Sequence, residues 1–155
     1  MSITADTAPS AVHLGADEMP FVDIGDGNLL KVLQVDLSVG LWIIENVFQA
    51  GYVVQTHRHT GPVYAFTRSG AWMYQESPDE VNRAGSYLFE PAGSIHTLEV
   101  LEDNTQVWFS IYGANLNLGA AGNIESIFDA PTALDAYIAL AEAEGYDRPN
   151  VLVTG

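Results

Sequence analysis

The chain has 155 residues, no cysteine, and 20 acidic against 5 basic residues, which gives a formal net charge of −15. This length suits one domain with its own core, and the lack of cysteine excludes disulfides, thiolate metal sites and cysteine nucleophiles. Phosphate groups are repelled by such an acidic surface, so we expect no nucleic-acid partner and no binding to anionic membranes.

The first residues predict neither a secretion signal nor a membrane anchor. Residues 1–12 are small and polar, without a basic region or a long apolar run, and we expect a flexible arm there. No stretch of the chain reaches the roughly 18 consecutive apolar residues of a membrane-spanning helix. We therefore expect a cytoplasmic protein with a single domain over residues 1–155.

Residues 13–113 are expected to form a β-barrel. Short runs rich in β-branched and aromatic residues alternate there with Gly, Pro, Asn and Asp. The runs cover residues 29–33, 40–49, 52–59, 63–68, 71–76, 86–90, 96–101 and 105–112. Many short strands at close spacing are typical of an antiparallel barrel or a double-sheet jelly roll, so the predicted fold class is all-β.

Residues 114–155 are expected to form a loop followed by a C-terminal helix over residues 132–144. Thr132, with Asp135 three residues later, suits the N-terminal cap, and Gly145 suits the C-terminal stop. The predicted apolar face of the helix comprises Leu134, Tyr137, Ile138 and Ala141.

Three of the four histidines suit a metal site. His57 and His59 are two residues apart in a strand, so both side chains point to the same face of the sheet. His96 follows the turn at residues 91–93, which can bring a third imidazole from across the barrel. Three neutral imidazoles bind several first-row metals and leave coordination positions open. His13 has no partner motif.

The glycines around these histidines form two blocks. In the first, five residues separate Gly51 from His57-Arg58-His59, and Gly70 follows; in the second, Gly85 precedes Pro91-Ala92-Gly93 and His96. The blocks resemble the two motifs of the cupin superfamily, which implies a double-stranded β-helix. Cupins usually place a liganding glutamate four or five residues after the second histidine, where this chain has Val63 and Tyr64. We therefore expect a three-histidine site without that carboxylate, unlike the oxalate-decarboxylating cupins.

A narrower resemblance concerns residues 57–74 and 85–98, which are similar to 2,4'-dihydroxyacetophenone dioxygenase and, more distantly, to the acetylacetone-cleaving dioxygenase. This likeness implies an iron(II)-dependent dioxygenase that cleaves a C–C bond next to a carbonyl, with a hydroxyketone or β-diketone and O2 as substrates. The ketone would bind as its enolate and react with O2. Zn, Ni, Mn and Cu remain alternatives to iron. The likeness also implies a homodimer or homotetramer.

Two residues near the histidines are candidates for catalysis. Glu90 precedes Pro91 and can hydrogen-bond a ligating imidazole or act as the base. Tyr64 stands at a position of the missing glutamate and is expected to point into the cavity, where its hydroxyl can bind the substrate.

Further residues are expected to line the substrate cavity, because side chains alternate between the two faces of a strand. Gln55 shares the predicted face of His57. Alternation in residues 107–112 assigns Phe109 and Ile111 to the cavity and leaves Trp108 and Tyr112 under the helix or at a subunit contact. Met73 and Gln75 are assigned to the cavity because they are opposite in phase to Trp72 and Tyr74.

The residues leave other functions open. A metal-dependent hydrolase of similar diketones would use the same ligands to activate water. A cupin that senses a metal or a ligand without turnover is a second alternative, although an open coordination position is typical of catalytic sites. A sugar-nucleotide epimerase ranks last, because the histidine arrangement suits a metal better than an acid–base pair.

Overall fold

The computed structural model describes residues 8–155, so residues 1–7 of the predicted arm lie outside the described residues. Residues 8–12 are exposed and have no regular structure. The described chain forms a 3-10 helix (Ala16–Glu18), one α-helix, α1 (Ala130–Ala143), and thirteen strands. The strands are β1 (Val22–Gly25), β2 (Asn28–Asp36), β3 (Leu41–Phe48), β4 (Val53–His59), β5 (Val63–Ser69), β6 (Ala71–Tyr74), β7 (Asn82–Arg83), β8 (Tyr87–Glu90), β9 (Ile95–Val100), β10 (Thr105–Tyr112), β11 (Asn115–Leu118), β12 (Ile124–Phe128) and β13 (Leu152–Thr154).

The strands pair into two sheets. The seven-stranded sheet has the order β1-β2-β3-β10-β5-β8, with β13 added parallel to β2. The six-stranded sheet has the order β12-β11-β4-β9-β6-β7. All pairs except β13 with β2 are antiparallel. The predicted all-β cupin barrel with a C-terminal helix is confirmed, and every run assigned to a strand from the sequence overlaps one.

The core lies between the two sheets because one face of each strand is apolar. In β5, buried Val63 and Ala65 alternate with exposed Tyr64 and Phe66. Such alternation places every second side chain in the barrel interior and the others on the outer surface. The interior also contains Trp72, whose indole Nε1 donates a 2.9 Å hydrogen bond to the Thr67 hydroxyl. The buried indole therefore keeps a polar partner.

The C-terminal helix begins two residues earlier than predicted. Its N-cap is Asp129 and not Thr132: the Asp129 carboxylate accepts hydrogen bonds from the backbone N–H and the hydroxyl of Thr132. Gly145 follows the helix with a φ of 83°, as the predicted stop requires. The buried helix positions are Ala130, Ala133, Tyr137 and Ala141, whereas Leu134 and Ile138 are half-buried. In the described residues no helix has the length and apolarity needed to cross a membrane.

The segment after residue 113 contains three strands as well as the predicted helix. β11 and β12 pair antiparallel at the end of the six-stranded sheet, and β13 pairs with β2. Asn115-Leu116-Asn117-Leu118 alternates polar and apolar residues, which is the signal of a strand that the prediction of a loop overlooked. β11 matters for the site because it pairs directly with β4, the strand of His57 and His59.

Candidate metal centre

The three histidines predicted to bind a metal lie together on the inner face of the six-stranded sheet. His57 and His59 are on β4, and His96 is on β9, directly opposite His57 in the ladder. All three are buried, with 5%, 3% and 6% of their surface exposed. The pairing register thus brings the distant His96 beside the other two imidazoles.

The imidazole nitrogens converge on a common point. One ligand atom from each of the three histidines lies within 4.8 Å of the other two, and the Nε2 atoms of His57 and His59 are 3.1 Å apart. His57 Nδ1 lies 2.7 Å from the backbone carbonyl of Gln55 and donates to it, which leaves the Nε2 lone pair free for a metal. Burial lowers the pKa of His57 to about 4, so this ring is neutral at physiological pH.

Glu90 supplies a carboxylate to this cluster from the other sheet. Its Oε2 lies 2.9 Å from His59 Nε2 and 3.4 Å from His96 Nε2, and the residue is 3% exposed. Burial raises the pKa of the Glu90 carboxyl, but the adjacent His59 and His96 rings outweigh burial and lower that pKa to about 2. The carboxylate is therefore ionised at neutral pH and contributes one negative charge to the site.

The Glu90 carboxylate lies next to the position at which cupins usually carry their liganding glutamate. Glu90 on β8 lies directly opposite Val63 on β5. Val63 is one of the two positions at which cupins usually have the liganding glutamate. The usual glutamate is absent from positions 63 and 64, as expected, and the neighbouring strand brings Glu90, which was expected to contact a ligating imidazole, to the same side of the barrel.

The cluster fits a divalent metal because its polar atoms lack other partners. Both Glu90 oxygens and His96 Nε2 are buried, and among the described residues they have no hydrogen-bond partner outside the cluster itself. Buried polar groups are normally hydrogen-bonded, and ones that are not require another explanation, such as an ion. Three imidazole nitrogens beside one carboxylate are donors that iron, zinc, manganese, nickel and copper accept.

Tyr64 does not point into the cavity, contrary to the prediction. Its side chain is 38% exposed on the outer face of β5, where it packs against Phe89 and Tyr112. The phase of β5 explains the difference, because Val63 takes the inward position and the next residue must face outward. The Tyr64 hydroxyl therefore has no contact with the histidines.

Gln55 does not share the face of His57, because β4 has a bulge between them. The four residues of β4 from Val54 to His57 lie opposite only three residues of β9, from Leu98 to His96. The Gln55 side chain consequently points outward and donates hydrogen bonds to the Leu118 carbonyl and the Glu125 carboxylate. Gln55 contributes to the site through its backbone carbonyl alone.

Met73 and Gln75 also lie outside the cavity. Gln75 is exposed and donates a hydrogen bond to Glu99, and neither residue lines the cavity. The residues of β6 that face inward are Trp72 and Tyr74. Trp72 is fully buried, and Tyr74 stacks on His96 with the ring centroids 3.9 Å apart. Tyr74 is thus a neighbour of the metal ligands that the sequence analysis missed.

The histidines open onto a cavity of about 410 Å³ inside the barrel. Phe109 and Ile111 lie in its wall, at the inward positions of β10. His57, His59 and Glu90 line one part, and most of the remaining wall is apolar or aromatic. Among the described residues that line the cavity there is no lysine or arginine. The cavity therefore suits a largely apolar small molecule that needs no cationic partner.

Asn115 is a second cavity residue that the sequence analysis missed. It lies on β11 directly opposite His59, and its side-chain Oδ1 is buried without a hydrogen-bond partner. Asn117, opposite His57, differs because its amide donates to the Ser126 hydroxyl at 3.0 Å. The Asn115 carbonyl is thus an unsatisfied acceptor beside a histidine of the cluster.

Comparisons with known proteins agree with this architecture. The model of the family described as ChrR cupin-like domain matches residues 9–115. No curated protein sequence matches the chain.

Solved structures provide further likenesses. A protein of unknown function with a cupin-like fold from Ralstonia eutropha JMP134 is 27% identical, with a TM-score of 0.84 over 100% of this chain and 96% of that one. An RmlC-like cupin from the same organism is 24% identical, with a TM-score of 0.83 over 96% and 98% of the two chains. An acetylacetone dioxygenase from Acinetobacter johnsonii is 19% identical, with a TM-score of 0.73 over 90% and 98%.

Proposed function

The chain belongs to the family of ChrR cupin-like domains, and from that premise we propose that it is a metal-dependent dioxygenase that cleaves a C–C bond beside a carbonyl. The observation that carries the proposal is the convergence of three histidine ligand atoms and the Glu90 carboxylate at the wall of an apolar cavity. The fold likeness to an acetylacetone dioxygenase adds support from outside the chain. The proposed substrates are O2 and a hydroxyketone or β-diketone.

His57, His59 and His96 hold the metal in this proposal, and iron(II) is the metal we propose. Such an ion supplies a Lewis acid that polarises the ketone oxygen and a centre at which O2 can react. A metal held by three protein nitrogens would keep coordination positions for substrate, as a catalytic site requires. The hydrogen bond from His57 Nδ1 to the Gln55 carbonyl fixes the ring so that Nε2 faces His59 Nε2, where it could bind the metal.

Glu90 accepts the proton that the substrate loses from the carbon next to its carbonyl. The carboxylate is ionised at neutral pH and buried at the cavity wall, so it is available as a hydrogen-bond and proton acceptor. Its low pKa makes it a weak base in the metal-free protein. It would be sufficient for a ketone whose acidity a bound metal would increase.

The apolar wall excludes water and binds the hydrocarbon part of the ketone. Phe109 and Ile111 contribute to this wall, and no cationic side chain among the described residues lines it. Asn115 Oδ1 accepts a hydrogen bond from a hydroxyl of the substrate, because this buried carbonyl otherwise remains unpaired. Together these features favour a neutral ketone that carries a hydroxyl over a carboxylate-bearing one.

The proposal is tested by oxygen uptake. Metal-free protein is loaded anaerobically with iron(II) and mixed with a panel of β-diketones and aryl hydroxymethyl ketones in oxygenated buffer. We expect stoichiometric O2 uptake with at least one ketone. His96→Ala should lose this uptake, whereas His13→Ala, which changes an exposed histidine outside the cluster, should retain it.

Two other results would contradict a dioxygenase. Loss of the ketone without O2, with zinc or iron bound, would identify the hydrolase that uses the same ligands. Tight metal binding without any turnover across the panel would favour the sensing cupin.

A further inference from the structure

Helix α1 supplies part of the wall of the cavity that contains the histidines. Ala136 and Leu140 of α1 line the cavity, and we call this pair the helical wall. The two residues are four positions apart, so their side chains lie one turn apart on the same side of the helix. Phe128, two residues before the helix, also lines the cavity. One cavity thus extends from the proposed metal ligands to a helix that the proposed reaction does not use.

Contacts along its length hold α1 in a fixed position. Tyr137 is fully buried, and its hydroxyl donates a hydrogen bond to the Pro20 carbonyl. After the end of the helix, the Glu144 carboxylate accepts a 3.0 Å hydrogen bond from the backbone N–H of Asp23. The helical wall is therefore a fixed part of the cavity and can set its size.

The strand order separates the helical wall from Glu90. α1 packs against β1, β2 and β3, whereas Glu90 lies on β8. Three strands, β3, β10 and β5, lie between β2 and β8 in the seven-stranded sheet. Neighbouring strands are about 4.8 Å apart, so β2 and β8 are roughly 19 Å apart along this curved sheet. The helical wall and the Glu90 carboxylate therefore lie at different ends of the cavity.

The cavity is larger than a small diketone needs. Its volume of about 410 Å³ equals that of about 14 molecules of liquid water, at about 30 Å³ each. At one water volume per non-hydrogen atom, 2,4-pentanedione would fill about half of it. A diketone of that size in contact with the histidines would leave the space beside the helical wall without apolar contacts, which costs affinity.

The surface around the helical wall is apolar. Ile24 and Leu30, on strands against which α1 packs, line the cavity with it, and Phe128 does so from β12. None of these side chains carries a polar atom. Each methylene group that moves from water to such a surface gains about 4-fold in affinity. This part of the cavity thus favours a hydrocarbon substituent over water.

We propose that the helical wall sets the size of the substrate, and that the substrate is a ketone with an apolar substituent long enough to reach Ala136 and Leu140. The inference rests on the proposed function, which places the carbonyl of the ketone at the histidine cluster. The family model matches residues 9–115, so α1 lies outside the matched residues and can determine substrate size separately from the metal ligands. Ala136 limits the length of the substituent, because a larger side chain there occupies the space that the substituent needs.

The test measures binding of 2-alkanones, from 2-pentanone to 2-nonanone, to the zinc-loaded full chain by isothermal titration calorimetry. These ketones differ only in the length of one hydrocarbon chain, and they lack the second carbonyl that a diketone hydrolase needs. Zinc has no redox chemistry, so binding is measured without the proposed reaction. Ala136→Leu is the variant, and Ala139→Leu, the same change at an exposed position of α1, is the matched control.

We expect the wild-type affinity to rise about 4-fold for each added methylene group. Ala136→Leu should lower the affinity for 2-nonanone at least about 10-fold and leave that for 2-pentanone within about 2-fold, because only the longer chain reaches position 136. Ala139→Leu should change neither value. Failure of the proposed function gives a different result: the chain would consume no O2 with any ketone and would still show this dependence on length.

A folded Ala136→Leu variant that binds 2-nonanone like the wild type would overturn the inference. A wild-type affinity that does not increase with chain length, or no binding across the series, would overturn it as well. Circular dichroism checks that the variant is folded. If it is not, Leu140→Ala decides: loss of this apolar contact should lower the affinity for 2-nonanone about 10-fold and spare 2-pentanone, and equal affinities contradict the helical wall.

Discussion

Glu90 and Val63 are direct partners in the antiparallel ladder between β5 and β8, and both side chains point into the barrel. Cupins usually carry the liganding glutamate at the position of Val63 or one residue later. In this chain the carboxylate reaches the histidines from the adjacent strand instead. Because cross-strand partners have their Cβ atoms about 5 Å apart, the two positions can present a carboxylate to nearly the same point.

The first prediction concerns this exchange of positions. Glu90→Val should lower the affinity for the metal by about 10–100-fold, as loss of a group beside a metal ligand typically does. The double variant Glu90→Val with Val63→Glu should recover most of the affinity, because it moves the carboxylate to the opposite strand. Competition with a chromogenic chelator measures both values.

Two results would argue against this role of Glu90. One is unchanged metal affinity in Glu90→Val, which would make the carboxylate irrelevant to the metal. The other is a folded double variant no better than Glu90→Val, which would mean that the position on β8 cannot be replaced from β5.

The second prediction separates Tyr64 from Tyr74. Tyr64→Phe should leave kcat/KM unchanged within about 2-fold, because its hydroxyl lies on the outer face of β5. Tyr74→Leu should weaken metal binding by about 10-fold, since it removes the ring stacked on His96. Steady-state oxygen uptake and chelator competition measure the two effects. A large loss of kcat/KM in Tyr64→Phe would place that hydroxyl near the substrate after all.

The histidine cluster could be predicted from the sequence because its signals are local. The two-residue spacing of His57 and His59 and the turn before His96 are both visible in the chain. The alternation in β10 likewise placed Phe109 and Ile111 on the inward face. These patterns depend on one strand at a time, so no knowledge of pairing was needed.

The missed features depend on pairing between strands. The bulge in β4 reverses the phase of Gln55, and only the register with β9 reveals it. The contact of Glu90 with the histidines was expected from its place before Pro91, but its position opposite Val63 follows only from the pairing of β8 with β5. For Met73 and Gln75, the choice between the two faces of β6 needed the position of the neighbouring strand. Local propensity cannot supply such long-range information.

The third prediction is a pH dependence of the stability of the metal-free protein. Burial lowers the pKa of His57 from 6.5 to about 4, so between these values the unfolded chain binds a proton that the folded chain does not. The free energy of unfolding should therefore fall as the pH drops from 6.5, by at most about 3 kcal/mol at pH 4. Urea unfolding between pH 4.5 and 7.5 measures this while Glu90 remains ionised.

His57→Gln provides the control for this effect. Without a titrating ring at position 57, the decline between pH 6.5 and 4.5 should become much shallower. An equally steep decline in the variant would assign the acid sensitivity to other groups.

The fourth prediction compares two glycines of the two sequence blocks. Gly70 and Gly85 both have positive φ, 77° and 88°, so alanine is strained at either position. A Cβ at Gly70 would also lie 2.5 Å from Thr105 Cα, whereas a Cβ at Gly85 meets open space. Gly85→Ala should lower the free energy of unfolding by about 1–2 kcal/mol, and Gly70→Ala by at least about 2 kcal/mol more. Equal losses in urea unfolding would contradict the close approach of β10 to Gly70.

The fifth prediction concerns Asn115 as the determinant of substrate choice. Asn115→Leu should lower kcat/KM about 10-fold for ketones that carry a hydroxyl, because it removes the acceptor for one hydrogen bond. For β-diketones of similar size without a hydroxyl, the same change should have little effect or be favourable, since a buried unpaired carbonyl is replaced by an apolar group. Asn117→Leu is the matched control, because that side chain is already paired with Ser126 and lies two residues further along β11. The ratio of kcat/KM between the two classes of ketone is the decisive measurement, since general damage to the site lowers both values and leaves their ratio unchanged. A ratio that Asn115→Leu does not alter would remove Asn115 from substrate recognition while leaving the histidine cluster as the proposed metal site.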